Sequence, residues 1–157
     1  MRAEFANPFI KAVVEVFEKE ADIKLTRKDL KIRNSPQPSR PISIIIGATG
    51  HVRGQVVYSM DDAFAYELTK KMLPNKLSPD LRKMLNSAVS ELANMVTGRA
   101  SIELAGEDHM INITPPAVCS GMDVMIDFLN IPTLALTFLS SIGELEVNIA
   151  LQTDDDL

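Results

Sequence analysis

Within SAVSELANMVTGRAS, positions 87 to 101, Ser87, Glu91, Asn94 and Gly98 follow one another at steps of four, three and four. On a helix of 3.6 residues per turn those steps stack a hydroxyl, a carboxylate, an amide and a bare backbone into one line. The chemistry open to such a line is narrow. An amide side chain is no base, but it holds a water by donating and accepting hydrogen bonds. A carboxylate can pair with a lysine on a partner. The two cannot hydrolyse anything unaided, yet they could complete a site that already holds a metal ion and an activated phosphoryl group. Against this stands the plainer reading of any Glu-x-x-Asn pair, a solvated helix face.

The helix that must carry the line opens at Ser78–Pro79–Asp80, a cap followed by proline, and is expected to run to about Leu104 with Gly106 as terminator. Leu81, Met84, Leu85, Ala88, Leu92, Met95 and Val96 form its apolar stripe. At ~100° per residue the polar line lies about 110° around from that stripe. Glu91 and Asn94 are therefore expected to face solvent on adjacent turns, with Cβ atoms roughly 5–6 Å apart.

Upstream, Asn7 as cap, Pro8 in the first turn and Ile10, Val13, Val14, Phe17 and Ala21 predict a first helix. Ile23, Leu25, Leu30 and Ile32 suggest an extended segment. NSPQPSRP, 34–41, has three prolines and reads as a loop. ISIIIGATGHVRGQVVYSM reads as two strands across a glycine-containing turn. Asp61 caps a connecting helix over 61–73 that ends at Pro74. Downstream, Met110, Ile111 and Ile113 make a short strand broken by Thr114–Pro115–Pro116. TLALTFL (133–139) and the alternating Leu145, Val147, Ile149 and Leu151 form a closing hairpin. The acidic residues 154–156 read as a solvated tail.

Two halves, about 7–59 and 78–152, thus share one outline: capped helix, strand, proline-rich loop, two consecutive strands. The pattern predicts a single pseudo-symmetric α+β domain spanning 1–157, with a largely antiparallel sheet and helices packed on one face. The 157 residues suffice for one such core.

Several candidate sites fall away. GATGHVRG (47–54) lacks the Gly-Lys-Ser/Thr of a phosphate loop and is followed by strand-type sequence, so it reads as a hairpin turn. His51 and His109 stand apart with no ligand-like neighbours, which argues against a metal site. Cys119 reads as a buried small hydrophobe, and the eight methionines as mostly core. A net charge of −5 without a basic patch argues against nucleic acid and anionic membrane. One cysteine, no signal-peptide pattern and no apolar run near ~20 residues point to the cytoplasm.

Ser87-x-x-x-Glu91-x-x-Asn94 followed by ITPP at 113–116 resembles the signature of the CheC/CheX/FliY phosphatases of bacterial chemotaxis, nearest its CheX members. The likeness runs over nearly the whole chain, through ELANM on the long helix and ITPPAVCSG after it. It implies a CheC-like fold and removal of the phosphoryl group from the phospho-aspartate of a CheY-like response regulator. The regulator would supply Mg²⁺, the phospho-aspartate and a lysine, so no cofactor is expected in this chain. Asn94 would align the attacking water and Glu91 would dock on the lysine. Ser87, Gly98 and Pro116 would serve partner binding: an edge contact, close packing or approach, and loop rigidity.

CheC proteins are similar to a duplicated unit with two Glu-x-x-Asn helices. Here Glu15, Glu18 and Glu20 on the first helix lack an asparagine three residues on, so one site is implied. The residue before the asparagine, commonly glycine in the family, is Ala93, a departure that bears on the tilt of the docking surface. The resemblance also implies a homodimer built by strand exchange, in which hairpin 133–152 could take part. The rival reading is a non-catalytic adaptor that binds a receiver domain or flagellar-switch component through the same face.

Overall fold

The computed structural model describes residues 3–34, 37–128 and 131–153; the acidic tail 154–156 lies outside them. Helix α1 (Ala6–Ala21) follows a 3₁₀ turn at Ala3–Phe5. It buries Val13, Phe17 and Ala21 as the periodicity predicts, but the inward face is centred on Phe9, Ala12 and Val16 as well, and the expected Ile10 and Val14 sit half-buried at its margin. Asn7 is inside the helix rather than its cap, because the chain is already helical at Ala6. Strands β1 (Thr26–Arg33), β2 (Gln37–Pro38), β3 (Ile42–Gly50) and β4 (Arg53–Met60) come next. Helix α2 (Asp62–Met72) is capped as expected, the Phe64 amide donating to Asp61 Oδ1 at 2.8 Å.

Helix α3 (Ser78–Ala105) has Leu77, not Ser78, at its cap position, with no side-chain capping bond. The Ser78 hydroxyl is engaged elsewhere, accepting from the Tyr66 hydroxyl at 2.9 Å. Gly106, with φ 67°, closes the helix, its N–H donating to the Ile102 carbonyl. Strands β5 (Ile111–Ile113), β6 (Ala117–Ser120), β7 (Met125–Ile126), β8 (Thr133–Ser140) and β9 (Gly143–Gln152) complete the chain. The segment after Pro116 therefore holds two short strands where only a proline-rich connection was expected.

The main sheet runs β1-β8-β9-β4-β3-β5, with β6 also on the outer side of β3, and every pair is antiparallel. The order is a palindrome. β4 and β9 meet at the centre, β3 and β8 flank them, and the first strand of each half lies beside the hairpin of the other. β2 and β7 pair with each other in a separate two-stranded ribbon. The helices lie on one face, where Ile44, Ile46, Val56, Tyr58, Leu134, Leu136, Val147 and Ile149 join α1, α2 and α3 in the main core. On the other face Val57 and Ala150 are covered by Phe128, so that side is partly roofed by the β7 segment. Hairpin β8–β9 is paired on both sides within the chain, and the open edges are β1 on one side and β5–β6 on the other.

Candidate functional site

Burial along α3 separates two sides of the helix. Leu81, Leu85, Ala88, Val89, Leu92, Ala93, Val96, Thr97 and Ala100 are buried. Ser87 and Glu91 are exposed, and Asn94 and Gly98 are half-buried on the shoulder of the same face. The expected line therefore exists, with Asn94 more sheltered than Glu91. Met84 stands outside the stripe at 37% exposure, although Leu81 and Leu85 on either side of it are buried. Among the described residues, neither Glu91 nor Asn94 is engaged in a side-chain hydrogen bond or ion pair. Both heads are thus available to a partner.

The underside of the line is pinned by a polar chain that the sequence did not announce. Thr97 donates from its hydroxyl to the Ala93 carbonyl at 2.8 Å, and Tyr58 of β4 meets the same hydroxyl at 2.7 Å. Burial pushes the Tyr58 phenol well above its ordinary pKa, against the opposing pull of the Thr97 contact, so it is a neutral strut. One hydroxyl thereby ties the turn that bears Asn94 to the sheet. The methyl of Ala93 is 3% exposed, in the core, so it lies beneath the polar line and not on it. At Gly98 an added Cβ would meet nothing within 4 Å. Internal packing therefore does not call for glycine there.

The proline pair is held by Thr114. Its amide donates to the Gly47 carbonyl and its hydroxyl accepts from the Gly47 amide, both at 2.9 Å. This double tie carries the chain across from β5 to β6, with Pro116 half-buried between them.

His51 and His109 are not isolated. The β3–β4 turn and the loop after α3 bring their rings into a parallel stack with centroids 3.8 Å apart, and the His51 amide donates to the Met110 carbonyl at 3.0 Å. A separation of 58 positions hid this contact in the sequence. Met110, Met122 and Met125 are exposed by more than half, against the core reading of the methionines, and Cys119 is half-buried on an edge strand instead of interior. Among the described residues no three His, Cys, Asp or Glu side chains converge as they would to hold a metal ion, and no helix is long and apolar enough to cross a membrane.

Comparison with known proteins places the chain in a family. The family model described as Chemotaxis phosphatase CheX matches residues 42–139. The protein named CheY-P phosphatase CheX from Thermotoga maritima is 29% identical over 127 residues, covering 80% of this chain and 81% of that protein. A solved structure of a candidate chemotaxis protein from Desulfovibrio vulgaris Hildenborough is 29% identical, with a TM-score of 0.85 over 95% of this chain and 97% of that one. The CheX of a CheX–CheY–BeF₃–Mg²⁺ complex from Borrelia burgdorferi, at 23% identity, shares the fold, with a TM-score of 0.78 over 96% of this chain and 99% of that one.

Proposed function

Because the chain belongs to the chemotaxis phosphatase CheX family, we propose that it hydrolyses the phospho-aspartate of a CheY-like response regulator, with Asn94 and Glu91 as the residues that carry the reaction. The observation that supports this most directly is the ridge itself. A carboxylate and an amide with no side-chain partner among the described residues stand on a helix whose other side is buried in the core. A ridge that is ordered beforehand enters a receiver pocket with little ordering cost.

Phosphoryl transfer runs through a loose transition state, so aligning a water contributes more than deprotonating it. Asn94 accepts from and donates to that water, in line with the bond to be broken. The new P–O bond forms as the acyl-phosphate P–O bond breaks, releasing phosphate and leaving the regulator's aspartate as carboxylate. Glu91 pairs with a lysine of the regulator and sets the register. Ser87 and Gly98 flank them as contact surface, and Pro116 stiffens the neighbouring loop. Mg²⁺ belongs to the regulator's acidic pocket, and the cytoplasm, where receiver domains work, is the compartment. The homodimer belongs to the same proposal. With β8–β9 paired internally, the open edges β1 and β5–β6 are the strands left for a second copy.

The test is a time course of radiolabelled phosphate loss from phosphorylated regulators, with one chain per ten regulators. A phosphatase shortens the phosphate lifetime and turns over many times. An adaptor leaves it unchanged or lengthens it by shielding, and that result across every receiver domain of the source organism would remove the phosphatase reading.

A further inference from the structure

The ridge does not end at Gly98. Ile102 follows four residues later, and at ~100° per residue positions 87, 91, 94, 98 and 102 fall within about 80° of one another. Ile102 is 77% exposed, and Met110, on the turn into β5, is 71% exposed. With Gly98, Ser101, Ala105 and His109 they border an open cavity of about 260 Å³. A single exposed apolar side chain is ordinary, but two of them beside a concavity mark a contact surface. The exposed acids Glu107 and Asp108 stand between Gly106 and His109 of its lining, while Glu103 borders a different cavity beside Pro8 and Val52. The nearest cation on the helix, Arg99, is turned to Glu15 of α1 at 3.2 Å. The surroundings are therefore acidic, and Gly98 leaves the passage from the amide end of the ridge to the apolar end clear of any side chain.

We infer that the Ile102–Met110 notch is the selectivity end of the docking ridge, taking one apolar side chain of the receiver domain that is flanked by cationic groups. This rests on the reading that α3 docks a receiver domain. Eight residues at 1.5 Å rise put the notch about 12 Å along the helix from Asn94. The residue it grips therefore lies outside the phosphorylation pocket, on the surface where receiver domains are free to differ. The polar end supplies the chemistry common to every phospho-aspartate, and the apolar end selects which regulator is served.

The experiment compares wild type with Ile102→Asp, Ile102→Ala and Met110→Ala. It measures steady-state dephosphorylation together with binding to a beryllofluoride-activated receiver domain. Burial of one isoleucine carries on the order of tenfold in affinity or more. KM and Kd should rise by that factor in Ile102→Asp and less in the alanine variants, with kcat at saturation little changed. Because both side chains are already exposed, melting temperatures should match wild type, and Ile102→Ala reports the same contact should the aspartate variant disturb the fold. Unchanged KM and Kd in a wild type that does hydrolyse phosphate would overturn the inference and leave the phosphatase reading standing. A fall in kcat alone would also overturn it. So would a changed oligomeric state in sedimentation, which would assign the notch to a second copy of this chain. If wild type binds the receiver without hydrolysis and Ile102→Asp loses that binding, the enzymatic reading falls and the notch stands. If wild type binds no receiver, both fall.

Discussion

Helices α1 and α3 open the two halves of a palindromic sheet and pack against each other over the same face, yet they are chemically unlike. α1 exposes Glu15 and Glu18, three residues apart, as Glu91 and Asn94 are on α3. The difference is one functional group. A carboxylate in place of the amide accepts but cannot donate, and two carboxylates side by side repel a phosphoryl group. Glu15 is moreover paired with Arg99 of α3 at 3.2 Å, so its head is turned to the neighbouring helix. Repetition of the scaffold has thus not repeated the site. The proposed site rests on an amide beside a carboxylate with no partner among the described residues, and of these two helices α3 alone presents both.

The sharpest way to break that contrast is to remove the amide. Asn94→Ala should lower dephosphorylation by the 10²–10³-fold typical of deleting one transition-state group, with binding to a beryllofluoride-activated regulator largely kept. Glu18→Ala on α1 should leave the rate unchanged. Near-wild-type turnover in Asn94→Ala would show that the line on α3 is no more catalytic than its counterpart.

Next in size is the carboxylate. Glu91→Lys sets like charges together at the proposed lysine contact and should block complex formation, while Glu91→Gln should be milder. Glu15→Lys on α1 should not affect docking. Surface plasmon resonance with an activated regulator gives the comparison, and equal affinities for wild type and Glu91→Lys would refute the lysine pairing.

How much of this was visible beforehand follows from which interactions are local. The line on α3, the Asp61 cap and the Gly106 stop depend on neighbours three or four positions away, and periodicity exposes them. The palindrome was visible as a repeated outline, but not the exchange that sets β1 beside β8 and β6 beside β3, because strand pairing is written in no local pattern. Nor did any local signal place Tyr58 under Thr97, stack His51 on His109, or separate exposed Met110 from buried Met60. Each depends on where a distant element comes to rest. The side-chain types of the proposed site were thus legible, and its support and its apolar extension were not.

That support gives a third contrast. The buried face of α1 is wholly apolar, whereas α3 buries the Thr97 hydroxyl between Tyr58 and the Ala93 carbonyl. Thr97→Val keeps the shape and leaves the Tyr58 hydroxyl without its partner, which should cost about 1–3 kcal/mol in denaturant unfolding. Since the same hydroxyl holds the turn that bears Asn94, the variant should also lose some turnover below its unfolding temperature. Val13→Ala on α1 should lower stability with turnover unchanged. Equal turnover in wild type and Thr97→Val would show that the strut serves the fold alone.

The smallest effect concerns how the halves are joined away from the helices. Arg40, before β3, reaches Glu144 at 2.8 Å and Glu146 at 3.1 Å on β9, while Lys28 of β1 reaches Glu144 at 3.3 Å. The Arg40 side chain is 26% exposed; in the helix-side pair, Arg99 and Glu15 are 43% and 48% exposed. Screening should leave the helix-side pair little net stabilisation and Arg40 more. The Arg40 hydrogen bond, followed by that of Lys28, holds the Glu144 carboxyl below its ordinary value of 4.5. A depressed folded-state pKa means stability that is fully present above the unfolded value and is lost as pH falls through the folded one. The melting-temperature gap between wild type and Arg40→Met should therefore stay constant from neutral pH down to about pH 5 and shrink below the unfolded carboxylate range. The gap between wild type and Arg99→Met should be smaller at every pH. A gap for Arg40→Met that stayed level into the acid range would mean that the clasp contributes through packing of the arginine stem and not through charge.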